Sequence, residues 1–147
     1  MKNISIESKT VYGLKVRTSN SNEQELTTAQ IGDLWKVFYK RIFMNIEQPS
    51  MAYGVYTNYE SDYNGEYDIV AAVESPADKS ELSIVDLQAG NYLLFENQGQ
   101  MPDAIIEAWQ EIWAYFSDKD CEHTRAYQTD FETYTDDKSV KIYIGIK

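Results

Sequence analysis

Asp130-Phe131-Glu132-Thr133-Tyr134 sets a carboxylate inside a short aromatic strand, and Tyr143 follows in the closing run Ile142-Tyr143-Ile144-Gly145-Ile146. A carboxylate among aromatic rings is costly to ionise unless a cation meets it. An apolar aromatic wall carrying one negative group is what a receptor for bulky organic cations needs. Strand alternation puts Glu132 on one face with Asp130 and Tyr134, and turns Phe131 and Thr133 the other way. The same residues also fit a surface strand on which Glu132 pairs with Lys138 or Lys141. The residue types leave both readings open.

Other chemistries find less support. Cys121-Glu122-His123 places three ligand types together, but nothing nearby completes a four-ligand set, so neither a metal nor a cofactor is expected. With His123 the one histidine, no Ser–His–Asp arrangement is suggested, and there is no glycine-rich phosphate loop. The formal net charge of −11 provides no basic stripe for nucleic-acid phosphates, so direct nucleic-acid binding is not expected. The acidic field would gather cations or mimic a polyanion. Cys121 is the one cysteine, which implies no internal disulfide and a reduced, cytoplasmic compartment. Met1-Lys2-Asn3-Ile4 opens into polar sequence with no signal-peptide pattern, and no apolar run approaches a membrane span.

The elements that must position these residues follow from periodicity. Residues 9–18 alternate, with Tyr12, Leu14 and Val16 on one side. A helix start is expected at Thr27, with Thr27 as N-cap, Gln30 completing a capping box, and Leu26 and Ile31 as a hydrophobic staple. Ile31, Leu34, Trp35, Phe38 and Ile42 then recur at helical spacing, and the helix must stop before Pro49. Strands at 53–59 and 67–73 flank the hairpin signal Asn64-Gly65. After a polar connector at 75–81, a strand at 91–97 precedes a helix opened by Pro102, with Ile105, Trp109, Ile112, Trp113 and Phe116 as its buried stripe. Strands at 125–134 and 139–146 close the chain. Each half, about 1–75 and 82–147, therefore reads strand-helix-strand-strand. The expected fold class is α+β: one antiparallel sheet from two pseudo-symmetric halves, both helices on one face, and a cleft between them, all in a single domain of 147 residues.

Twelve Tyr, five Phe and three Trp give walls for such a cleft. Matching the halves aligns Gly54 with Glu132 and Tyr56 with Tyr134, so one wall would be ionic and the other apolar. The expected site comprises Glu132, Tyr134, Tyr143, Tyr56, Tyr53, Trp35 and Trp109; Trp113 is assigned to plain core, and Phe38 and Ile105 to packing.

The order of elements, with Ala52-Tyr53-Gly54-Val55-Tyr56 and Asn64-Gly65-Glu66-Tyr67, then Gly90-Asn91-Tyr92-Leu93-Leu94-Phe95, and finally Phe131-Glu132-Thr133-Tyr134, resembles the gyrase-inhibitor-like effector-binding domain. That domain also forms the ligand-sensing module of some AraC-type and MerR-type multidrug-response regulators. The resemblance covers almost the whole chain, which looks like a stand-alone member of the kind carried on mobile (integron) gene cassettes. Lys141 and Gly145 stand where the family often has an acidic residue and a proline. The resemblance implies that hydrophobic, often cationic small molecules bind between the helices with Glu132 facing them. A separate regulator or a homodimer would fit as a partner. Two alternatives remain at this point. One is a hydrolase of reactive electrophiles using Glu132 as general base. The other is an acidic gyrase-inhibitor-type protein acting through surfaces such as Glu60-Ser61-Asp62 and Asp136-Asp137.

Overall fold

Alternating apolar residues and the turn signals between them resolve into an antiparallel sheet in the computed structural model, which describes residues 1–46 and 51–147. In chain order the elements are β1 (Lys2–Ile6), β2 (Lys9–Ser19), the short α1 (Asn20–Glu23), α2 (Ile31–Arg41), β3 (Ala52–Thr57), β4 (Glu66–Val73), β5 (Ser83–Leu87), β6 (Gly90–Gln98), α3 (Asp103–Ser117), β7 (Arg125–Asp136) and β8 (Ser139–Ile146). The strands form one sheet in the order β1-β6-β8-β7-β3-β4-β2-β5. The α+β class and the repeated grammar β2-α2-β3-β4 and β6-α3-β7-β8 are both present.

The two repeats meet edge to edge at β3 and β7. Their register runs from Ala52 opposite Tyr134 through Gly54 opposite Glu132 to Thr57 opposite Thr129. A pseudo-twofold axis through the Gly54–Glu132 pair relates residue 54 to 132 and Tyr56 to Tyr134. Gly54 is thus at once the counterpart of Glu132 and its cross-strand neighbour.

Both helices cover the same face. Leu34, Phe38 and Ile42 pack on Ala52, Tyr67, Ile69, Ala71 and Val73. Ala108 and Ile112 pack on Leu93, Phe95, Val140, Ile142 and Ile144. The opposite face has its own core of Val11, Tyr53, Val55, Val70, Tyr92 and Phe131. Ile6 from one edge strand, and Val85 and Leu87 from the other, join that same cluster. The sheet therefore curls around its second core instead of needing a further layer of helices.

One expectation, the start of the first long helix, is corrected. Thr27 caps no helix: α2 begins at Ile31, and Leu26 is 99% exposed, so there is no staple. The first N–H groups of α2 are met from outside, by Glu23, whose carboxylate accepts from Gln30 N and Ile31 N at 3.0–3.1 Å. α2 ends at Arg41, while the stop signal Pro49 lies outside the described residues. The edge strands cross over. β1 pairs with β6 of the second repeat, and β5 pairs with β2 of the first. No helix among the described residues is long and apolar enough to cross a membrane.

Candidate functional site

Glu132 is 1% exposed, although a carboxylate is among the groups least often buried. Its position follows from β7 alternation: Phe131 drops into the second core, so Glu132 rises into the gap between the helices. The space above the central pair exists because residue 54 is glycine. A Cβ there would lie 2.8 Å from Glu132 Oε1 and 2.9 Å from its Cγ.

Three neutral donors hold the carboxylate. Tyr134 donates its hydroxyl to Oε1 at 2.8 Å. Trp109 Nε1 and the Tyr56 hydroxyl donate to Oε2 at 3.2 and 3.3 Å. No lysine or arginine among the described residues forms an ion pair with it, and Lys141 pairs in register with Thr133 instead. Burial pushes the Glu132 carboxyl up from its ordinary value of 4.5 to about 7, and the three donors offset only part of that cost. Burial, and then the Glu132 charge, hold the Tyr56 and Tyr134 hydroxyls well above their usual range, so they remain protonated donors.

Glu132 forms part of the lining of a cavity of about 380 Å³ between α2 and α3. This volume suits a small organic molecule. Trp35 contributes from α2, edge-on to Tyr134 at 5.5 Å between centroids. Trp109 contributes from α3, edge-on to Tyr56 at 5.3 Å. The walls are aromatic because α3 turns its small residues toward the sheet. Ala104 and Ala108 are buried there, which lets the helix settle close, and the larger Ile105, Trp109 and Trp113 point into the cleft. The buried row Ala104–Ala108–Ile112 lies one step round the helix from most of the expected core stripe, of which only Ile112 is fully buried. Trp113 is 45% exposed and belongs to the cleft, not to the core.

Of the seven expected wall residues, the cleft brings together Glu132, Tyr134, Tyr56, Trp35 and Trp109. Tyr53 and Tyr143 are not there. β3 alternation and the pairing of Tyr143 with Phe131 put both on the opposite face of the sheet. Tyr143 stacks on Phe131 with ring centroids 4.5 Å apart, and the Tyr53 hydroxyl donates to Glu74. The cleft instead gains Tyr59, Tyr63 and Tyr67 from the β3–β4 hairpin and Glu23 from α1. Alternation past residue 57 could have found Tyr67 through its partner strand, but loop tyrosines and a carboxylate eight residues before its helix carry no period.

Two residues before Glu132, Asp130 is fully buried on different terms. Its Oδ2 accepts from Arg125 Nη2 at 2.7 Å and from the Tyr59 hydroxyl, and its Oδ1 accepts from Gly145 N at 2.8 Å. Arg125 lies against a second cavity of about 410 Å³ that shares Asn20, Tyr63, Trp113 and Arg125 with the first. His123 meets the Tyr115 hydroxyl at 2.7 Å, and no group of three or more metal-ligating side chains occurs among the described residues.

Comparison with known proteins gives a consistent picture. The sequence model of the Cass2 family, "integron-associated effector binding protein", matches residues 4–146. The crystal structure of integron cassette protein VCH_CASS2 from Vibrio cholerae superposes with a TM-score of 0.92 at 39% identity, over 99% of this chain and 95% of that one. YobU of Bacillus subtilis (strain 168) is 28% identical over 97% of this chain and 94% of its own. SAV2435, solved bound to tetraphenylphosphonium, shares the fold with a TM-score of 0.72 at 21% identity, over 99% of this chain and 93% of that one.

Proposed function

The chain belongs to the Cass2 family of integron-associated effector binding proteins, related to the ligand-binding domains of transcription regulators, and from that premise we propose that it binds hydrophobic organic cations between α2 and α3. The observation that carries the reading is a carboxylate with no charged partner among the described residues, buried at the floor of an aromatic cavity. An empty site of this kind is half protonated near neutrality, because burial has lifted Glu132 to about 7. A cation entering the cleft restores the missing counter-charge and expels the proton. Coulomb attraction is far stronger there than at a wet surface, since little water remains to screen it. Trp35 and Trp109 present ring surfaces that favour positive charge and exclude water. The tetraphenylphosphonium complex of SAV2435, a protein of the same fold, supports the choice of a bulky monocation.

The test is a fluorescence titration with tetraphenylphosphonium, read from the cleft tryptophans. Saturable binding is expected, weakened roughly 100-fold by Glu132→Gln. Equal affinity in both proteins contradicts the reading. A second reading, hydrolysis of a reactive electrophile, draws on one observation: a carboxyl near 7 beside two protonated tyrosines resembles a general base with acid partners. Turnover of an epoxide probe, lost in Glu132→Gln, separates it from simple binding.

A further inference from the structure

Arg125 is 7% exposed, yet among the described residues its side chain makes a single hydrogen bond, from Nη2 to Asp130. A guanidinium carries five N–H donors, and buried donors are normally satisfied. Here Nε is buried with no hydrogen-bond partner among the described residues. Asp130 takes only Nη2 of the fork, and accepts its other bonds from Tyr59 and Gly145. The guanidinium lies over the ring of Tyr127, with Cζ 4.4 Å from its centroid, and near that of Phe116, at 6.0 Å. The under-used fork sits where the two cavities join.

The spacing suits one ligand that spans both. On β8 the partners of Arg125 and Glu132 are Ile146 and Ile142. Four residues of strand separate these roots, roughly 13 Å, and the Arg125 side chain closes part of that gap by reaching Asp130, two residues from Glu132 on the same face of β7. Trp113 walls both cavities between the two charges.

We propose that the second cavity is an acceptor subsite. It takes a carbonyl or carboxylate oxygen on an arm of the same ligand whose cationic body rests at Glu132, with Arg125 as the donor. The favoured ligand class is then an aromatic or hydrophobic cation bearing an oxygen-terminated arm, not a plain lipophilic cation. This proposal rests on the cation reading of the main cleft.

The test titrates the full chain calorimetrically with alkyltriphenylphosphonium ions and their ω-carboxyalkyl twins, over arms of about three to seven carbons, a range set by the strand spacing. At one arm length the carboxy probe should bind roughly tenfold more tightly than its alkyl twin, despite the acidic surroundings. The methyl ester should fall between them. The double variant Arg125→Met/Asp130→Asn removes donor and counter-charge together, and should erase that gain, read as the ratio of carboxy to alkyl affinity within the variant itself. Should the double variant not fold, Arg125→Lys keeps the charge without the planar fork and should lose most of the gain. Carboxy probes that bind no better than alkyl twins at any length overturn the subsite, as does a gain that survives in either variant. If alkyl probes fail but carboxy probes bind through Arg125, the cation reading falls and the subsite stands. If neither series binds, both are overturned.

Discussion

Asp130 and Glu132 lie two residues apart on one face of β7, both shut away from water, and their surroundings assign them opposite work. Asp130 has a guanidinium, a backbone N–H and a tyrosine hydroxyl, so its charge is compensated within the fold. Glu132 has hydroxyls and an indole N–H, which orient a charge without neutralising it. A compensated buried carboxylate is structure. An uncompensated one is a demand for a partner, and the aromatic cavity in front of it selects what that partner looks like.

The sharpest way to break this contrast is to remove each charge in turn and measure unfolding in urea. Asp130→Ala leaves Arg125 buried without its counter-charge and should cost about 3–5 kcal/mol. Glu132→Gln should move the other way. In the empty protein the folded carboxyl titrates near 7 and the unfolded one near 4.5, so the folded state keeps a proton that the unfolded chain gives up between those values. The contribution of Glu132 to stability is therefore greatest below about pH 4.5, falls as pH rises to about 7, and is flat above. The loss is on the order of 3 kcal/mol, and Glu132→Gln should recover much of it near pH 8. Equal destabilisation by both substitutions would erase the distinction between the two carboxylates.

Gly54→Ala sharpens the comparison from the other half of the molecule. A methyl group 2.8 Å from Glu132 Oε1 must push the carboxylate off its donors. Affinity for tetraphenylphosphonium should fall roughly tenfold, with a stability cost of about 1–3 kcal/mol read from the thermal midpoint. The smallest effect is expected from Trp109→Phe, which keeps a ring but loses the N–H that Oε2 accepts. The Glu132 carboxyl should then titrate higher, and affinity near pH 7 should drop several-fold, about 1 kcal/mol.

The division of labour between the halves was partly legible from residue order. Alternation alone placed Glu132 with Tyr134 and opposite Phe131, and the alignment of halves matched Gly54 to Glu132. Helical spacing picked out Trp35 and Trp109. Tyr53 lies three residues from Tyr56, so alternation along β3 already sets the two on opposite faces, while Tyr143 is a different case. A strand has two faces, and which face Tyr143 shares with β7 depends on cross-strand register, which no local pattern states. The assignment of Trp113 to plain core fails because a residue four after Trp109 fits a core stripe and a cleft wall equally well. Ala104 and Ala108 decided it by taking the sheet contact. Glu23, the tyrosines of the β3–β4 hairpin and the crossed edge strands depend on contacts distant in sequence, so periodicity could not reach them.

The most direct test of an uncompensated Glu132 is the affinity for tetraphenylphosphonium measured from about pH 5.5 to about pH 8.5. Binding that requires the ionised carboxylate should strengthen by up to tenfold per pH unit below about 7 and level off above it. In Glu132→Gln the profile should be weak and flat. A wild-type profile that is equally flat, at undiminished affinity, would show that the cation does not meet this carboxylate.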